Sequence, residues 1–164
     1  MMKKAVFTLL LLTLSFVLCA VEYSFEKEVQ RLKSPNVAME HKIKLSLTPS
    51  IRISNGCGVR KKIKLAPNSR YLLTFYVKGK NVSDGKDEKG RRCGGRFYVH
   101  SGKKWLCFTT RDRNAAETGT FDWRKGEGII DTAVMGETVN LNPSIFGKGV
   151  LYFDKIRLEK ISNK

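Results

Sequence analysis

The sequence predicts an all-β chain folded as a two-sheet antiparallel β-sandwich, on three observations. Apolar residues recur at every second position along most of the chain, the pattern of half-buried strands. Turn-forming clusters such as Pro67-Asn68-Ser69, Ser83-Asp84-Gly85 and Gly147-Lys148-Gly149 separate these runs. No segment of solid-helix length places apolar residues at i, i+3, i+4 and i+7. Many short strands without alternating helices make a sandwich or a barrel, and one sandwich over residues 21–164 is the expectation.

The elements follow in chain order. Residues 26–33 tolerate a helix, but read equally well as an irregular strand and loop. In 41–47, Ile43, Leu45 and Leu47 alternate with Lys42, Lys44 and Ser46, which predicts a strand. Ile51 and Ile53 flank Arg52 in the same way, and Val59, Ile63 and Leu65 alternate with Arg60, Lys62 and Lys64. Residues 71–77 are apolar on both faces apart from Thr74, as in a strand covered on both sides. Runs at 96–100 and 105–109 flank Ser101-Gly102-Lys103-Lys104, a predicted four-residue hairpin loop. Strands at 129–134, 138–141 and 149–158 complete the set. In the last, Leu151 and Phe153 share one parity while Ile156 and Leu158 share the other. A one-residue slip at Asp154-Lys155 puts all four on one side, which predicts a β-bulge.

At 164 residues, 41% hydrophobic and 28% charged, the chain makes one domain with a core of its own. Residues 1–20 read as a signal peptide: Lys3-Lys4, an apolar run from Ala5 to Leu18, then Cys19-Ala20. The run is too short for a transmembrane span, so export to periplasm, cell surface or medium with cleavage after Ala20 is expected. Lipid anchoring through Cys19 is the alternative; Leu18 is bulky where a lipoprotein signal has a small residue. Export leaves Cys57, Cys93 and Cys107. One disulfide plus a free thiol, or three small buried apolar residues, are both open, and the absence of CxxC argues against a zinc ribbon.

The chain carries 31 Lys+Arg against 15 Asp+Glu, a net +16, or +14 once Lys3 and Lys4 leave with the leader. Lys42, Lys44, Arg52, Arg60, Lys62 and Lys64 all stand opposite the apolar set of their runs, where acids are nearly absent. One basic stripe facing an anionic partner is therefore expected. Nucleic acid has the same electrostatic footprint, but export makes an acidic polysaccharide, lipopolysaccharide or cell-wall polymer the more accessible partner. Catalytic signatures are missing: there are two histidines, no G-x-S-x-G, no HExxH and no phosphate loop. Asp112, Glu117, Asp122, Glu127 and Asp131 supply carboxylates, yet no spacing singles out a pair. The chain is therefore expected not to be an enzyme, with a small polysaccharide lyase or hydrolase as the alternative.

The closing phrase Gly147-Lys148-Gly149-Val150-Leu151-Tyr152-Phe153-Asp154-Lys155-Ile156-Arg157-Leu158-Glu159 resembles the last strand of family 4/9 carbohydrate-binding modules, which are galactose-binding-like jelly rolls. Three other phrases resemble the same family in the same order: Ser24-Phe25-Glu26, the stretch 67–79 built around Tyr71-Leu72-Leu73-Thr74-Phe75, and Thr118-Gly119-Thr120-Phe121-Asp122-Trp123. The resemblance implies a jelly roll that binds a polysaccharide. It also implies a structural Ca²⁺ where the first and last strands meet, with Glu26 and Asp154 as candidate ligands and Trp123 in the core. Such modules commonly accompany a catalytic domain. This chain is instead expected to be a stand-alone binder, an envelope protein that kept the fold, or a partner in a surface or enzyme complex. For sugar binding, Tyr98 and Trp105 are candidate stacking platforms, with Tyr76 a third, and Arg96 and His100 share the parity of Tyr98 as hydrogen-bonding groups.

Overall fold

The computed structural model describes residues 20–110 and 115–163, without the side chains of 162 and 163. All of the predicted leader except Ala20, Cys19 included, lies outside these residues, as does Asp112. Two antiparallel sheets form a sandwich. The larger contains β1 (Val21–Glu22), β2 (Val37–Glu40), β3 (Ser50–Ser54), β5 (Ser69–Val82), β8 (Gly119–Asp131) and β10 (Val150–Asn163). Its order is β2-β3-β10-β5-β8, and β1 pairs with β10 as well. The smaller contains β4 (Lys61–Lys64), β6 (Gly94–Ser101), β7 (Lys104–Phe108) and β9 (Thr138–Phe146), in the order β4-β9-β6-β7.

The core lies between the sheets, and its centre is aromatic. Phe75 of β5 stacks on Phe97 of β6 across the gap, with ring centroids 4.7 Å apart and an interplanar angle of 26°. Phe153 of β10 closes the trio at 6.1 and 6.0 Å. Gly126 lies where a Cβ would fall 2.3 Å from the Phe75 ring, so the missing side chain leaves that ring its place. Phe97 and Val99 alternate inward with Arg96, Tyr98 and His100 outward, as period-two alternation requires.

The predicted bulge is present. The β10–β5 register shifts between Asp154 and Arg157, and Lys155 takes φ 47°. Leu151, Phe153, Ile156 and Leu158 are all buried in consequence.

Residues 41–47 do not form the predicted strand: they make an irregular loop in which Leu47 is 97% exposed. The backbone donors of Leu45 and Ser46 go to the Asp154 carboxylate, at 2.6 and 3.2 Å, instead of a strand ladder. The edge position belongs to β2, where Val37 and Met39 pair with Ile53 and Ile51. Residues 26–33 resolve as a helix, α1 (Glu26–Leu32), with Glu26 and Glu28 in the first turn, Arg31 in the last and Lys33 at φ 46° as the left-handed cap.

The strand predicted at 129–134 ends at Asp131, whose carboxylate accepts from Ala133 N at 3.0 Å and starts α2 (Thr132–Met135). Ser101 pairs with Lys104, so the hairpin loop is the two residues Gly102-Lys103, with Gly102 at φ 56°. Trp123 is half-buried beside the β8 irregularity between the pairs Val77–Arg124 and Gly79–Phe121; Phe121 takes the core position instead. Cys57, Cys93 and Cys107 are free thiols, in keeping with small apolar residues and not with a disulfide. Among the described residues no helix is long and apolar enough to cross a membrane.

Candidate functional site

The outer face of the smaller sheet collects most of the residues with something to offer a ligand. Its register sets them in rows. Lys62, Asn140, His100 and Trp105 cross the four strands as one row. Asn142, Tyr98 and Cys107 form the next, and Ser144 stands beside Arg96 in the third. Lys64 extends the face next to Thr138, and Arg60 stands close enough to His100 for its charge to act there.

Trp105 is the exposed member, with 53% of its surface open. One face of its indole lies on His100, at 4.2 Å between centroids and 15° between planes, and its edge meets Tyr98 at 5.8 Å. The ring is thus braced along one face, with surface left to water. His100 beneath it is buried, and its Nε2 has no hydrogen-bond partner. Burial first, and then the Arg60 charge, push the imidazole pKa below its ordinary value. A neutral ring is also the better partner for a stack beside several cations.

Burial raises the Tyr98 pKa, while the Arg96 charge and hydrogen bond act in the opposite direction. Burial likewise raises that of the Cys107 thiol. Phe146, at the end of β9, meets Tyr98 edge-on at 6.2 Å and carries the Arg91 and Arg96 guanidinium groups at 5.3 and 5.9 Å from its ring centroid.

Two clefts open on this face with Phe146 between them. One, of about 500 Å³, is bounded by Arg91, Arg92, Arg96, Tyr98, Cys107 and Phe146. The other, of about 420 Å³, includes Arg60, Asn142 and Ser144. Gly58 forms part of its floor: a Cβ there would fall 2.5 Å from Ser144 Oγ, so any side chain would crowd the polar pair that Ser144 Oγ makes with Asn142 Oδ1 at 2.8 Å.

The predicted residues do not all converge. Tyr98, Trp105, Arg96 and His100 come together, and Arg60, just before β4, and Lys62 and Lys64 of β4 share their face. Tyr76 lies on the other side of the molecule: it pairs with Asp154 and Lys125 on the outer face of the larger sheet, with Lys155 Nζ 5.8 Å over its ring. The six-residue basic stripe is divided, because Arg52 pairs with Tyr152 and Ala38 in the larger sheet, while Lys42 and Lys44 sit on the 41–47 loop. Asn140, Asn142, Ser144, Phe146 and Arg91 are site residues that the sequence reading missed. The alternation of β9 signals only that Asn140, Asn142, Ser144 and Phe146 share a face, not that this face joins Tyr98 and Arg96.

Glu26 and Asp154 both border a small cleft next to β1. Asp154 is 3% exposed, and its carboxylate accepts from Leu45 N, Ser46 N, Ser46 Oγ and Lys155 N. Glu26 is exposed and accepts from the Gln30 side chain at 3.4 Å. A Ca²⁺ ion needs several oxygen acceptors, whereas Asp154 is ringed by donors. Among the described residues, no three metal-binding side chains cluster. This donor set does not fit the cation that the family resemblance implied.

The described carboxylates considered for catalysis have structural partners. Glu117 is buried near Arg124 and accepts from Thr110 N, Asp122 pairs with Lys78, Glu127 pairs with Lys125, and Asp131 caps α2.

No family model and no curated protein matches the sequence. Solved structures do match the fold. The CBM22-1 xylan-binding domain of Paenibacillus barcinonensis Xyn10C aligns with a TM-score of 0.53 and 16% identity, covering 78% of this chain and 82% of that one. The CBM22-1–GH10 modules of Clostridium thermocellum xylanase 10B, solved with xylohexaose, align with a TM-score of 0.53 and 10% identity over 77% of this chain and 24% of theirs. Identities this low speak to architecture alone: the chain has the jelly-roll β-sandwich fold of carbohydrate-binding modules.

Proposed function

We propose that this protein is an exported, non-catalytic saccharide-binding module whose binding face is the outer surface of the smaller sheet. The observation that carries the reading is Trp105, stacked on His100 and still half open to water. A fixed, exposed indole offers the electron-rich face that the axial C–H groups of a pyranose ring prefer. Asn140, Asn142 and Ser144 beside it supply donors and acceptors for sugar hydroxyls. The ligand is a polysaccharide, with acidic polymers preferred. Arg60, Lys62 and Lys64 stand toward the opposite edge of the same face, and the net +14 that remains once Lys3 and Lys4 leave draws a polyanion to it.

Affinity electrophoresis through gels holding a neutral glucan, a xylan, a uronic-acid polymer or a sulfated polymer tests this. Retardation by at least one gel, greatest in an acidic one, is expected, with no reducing ends released. Migration unchanged in all four would contradict the reading. Cleavage of any polymer would contradict its non-catalytic part.

A further inference from the structure

Arg96 sits at the floor of the cleft beyond Tyr98, and its environment is unusual for a cation. The residue is 8% exposed. Its Nη1 donates to the Arg92 carbonyl at 3.1 Å, and its charge lies close enough to Tyr98 to act on the phenol. Its guanidinium lies 5.9 Å from the Phe146 ring centroid. Among the described residues no carboxylate pairs with it, although six other ion pairs form. Neighbouring Arg91 is different, because Asp87 answers its charge at 2.7 Å.

A buried charge without a counter-charge is costly, and a guanidinium has five N–H donors, more than these contacts use. The fold therefore maintains an open demand for an anion at the bottom of a cleft of about 500 Å³.

We infer that this cleft is a subsite for the carboxylate of a uronic acid residue within the bound saccharide, paired to the Arg96 guanidinium. The inference rests on the proposed binding face and adds a specific contact to it. The geometry connects the two, since Tyr98 belongs both to the cleft and to the Trp105 platform. A sugar chain stacked on Trp105 that runs past Tyr98 brings its next residues to Arg96. A planar carboxylate matches the planar fork of a guanidinium through two parallel hydrogen bonds. Phe146 walls the cleft and excludes water from one side, which strengthens the pairing. This is recognition at one point, unlike the diffuse attraction of Arg60, Lys62 and Lys64, and the two respond to different substitutions.

The test compares binding of oligogalacturonate, its methyl ester and a sulfated oligosaccharide of equal length by calorimetry. The wild-type chain is expected to bind the acid at least tenfold more tightly than the ester, and more tightly than the sulfate. Arg96→Lys, which keeps the charge but loses the fork, should bring acid and ester within twofold of each other. Lys62→Ser, which removes diffuse charge alone, should weaken acid and sulfate alike and leave the preference for acid over sulfate unchanged. If Arg96→Lys does not fold, Phe146→Leu should reduce the acid-to-ester ratio at least threefold. A ratio unchanged in the Arg96 or Phe146 variant, or near one in the wild type, overturns the subsite and leaves the binding face standing. A preference for sulfate overturns the carboxylate assignment. Absence of binding to all three, with none to neutral glucan or xylan, overturns the face and the subsite together.

Discussion

His100 shows how one residue can serve structure and site together. It supports the Trp105 ring and is buried neutral, with its pKa depressed by burial and by Arg60. A histidine whose folded pKa lies below its unfolded value contributes stability that is fully present above the unfolded pKa, about 6.5. That contribution is lost as pH falls through the folded value, because the unfolded chain takes up the proton more readily. The melting temperature should therefore decline from pH 7.5 to 5.5, above the range where ordinary carboxylates titrate. His100→Gln should flatten that slope, and an equal slope in both proteins would show that His100 is not its source. The residue was legible in sequence because Arg96, Tyr98 and His100 share one parity. Phe146 was not: its closeness to Tyr98 and Arg96 depends on β9 lying beside β6, a sheet order that local alternation does not encode.

Among the elements, the closing strand was the most legible and the loop it organises the least. The reversal of apolar parity at Asp154-Lys155 has one cheap explanation, an inserted residue, and the register shift is there. The loop at 41–47 has the alternation of a strand, yet its amides are captured by a carboxylate more than a hundred positions away. Asp154 thus works as an anchor for that loop. Asp154→Ala should lower stability by about 3 kcal/mol, since it leaves several donors unpaired in a buried setting. Asp154→Asn keeps one acceptor oxygen and should cost less. Chemical denaturation of the three proteins measures both differences. Chelator should leave the wild-type melting temperature unchanged, and a clear rise with added Ca²⁺ would restore the metal site.

At the scale of the molecule, the sandwich divides the charge that the sequence presents as one run. Arg60, Lys62 and Lys64 share the outer face of the smaller sheet with the platform, whereas Arg52 lies in the other sheet and Lys42 and Lys44 on the loop. Neighbouring run positions fell on different sheets because residues 55–60 pass from one sheet to the other, a crossing invisible in the local pattern. Exposed charges act over about 8 Å at physiological ionic strength, so Arg60, Lys62 and Lys64 should influence a polymer that crosses the sheet from the platform toward β4. Raising salt from 50 to 500 mM should sharply reduce retention on an acidic polymer and change retention on a neutral one little. The double change Lys62→Ser, Lys64→Ser should weaken the first and spare the second. Equal salt response on both polymers would remove charge from the account.

The two candidate platforms lie on opposite sides of the sandwich, so only one of the two faces holds the binding site. Trp105 tops the smaller sheet and Tyr76 the larger, so each can be removed without touching the other. The direct measurement is affinity electrophoresis of Trp105→Ala and Tyr76→Ala in whichever polysaccharide gel retards the wild-type chain. Losing one exposed stacking ring costs about 1.5 kcal/mol, about a tenfold change in affinity. Trp105→Ala is expected to run nearly as fast as in a gel without polysaccharide, while Tyr76→Ala is retarded like the wild type. Retardation lost in Tyr76→Ala and kept in Trp105→Ala would place the site on the other sheet and contradict this expectation.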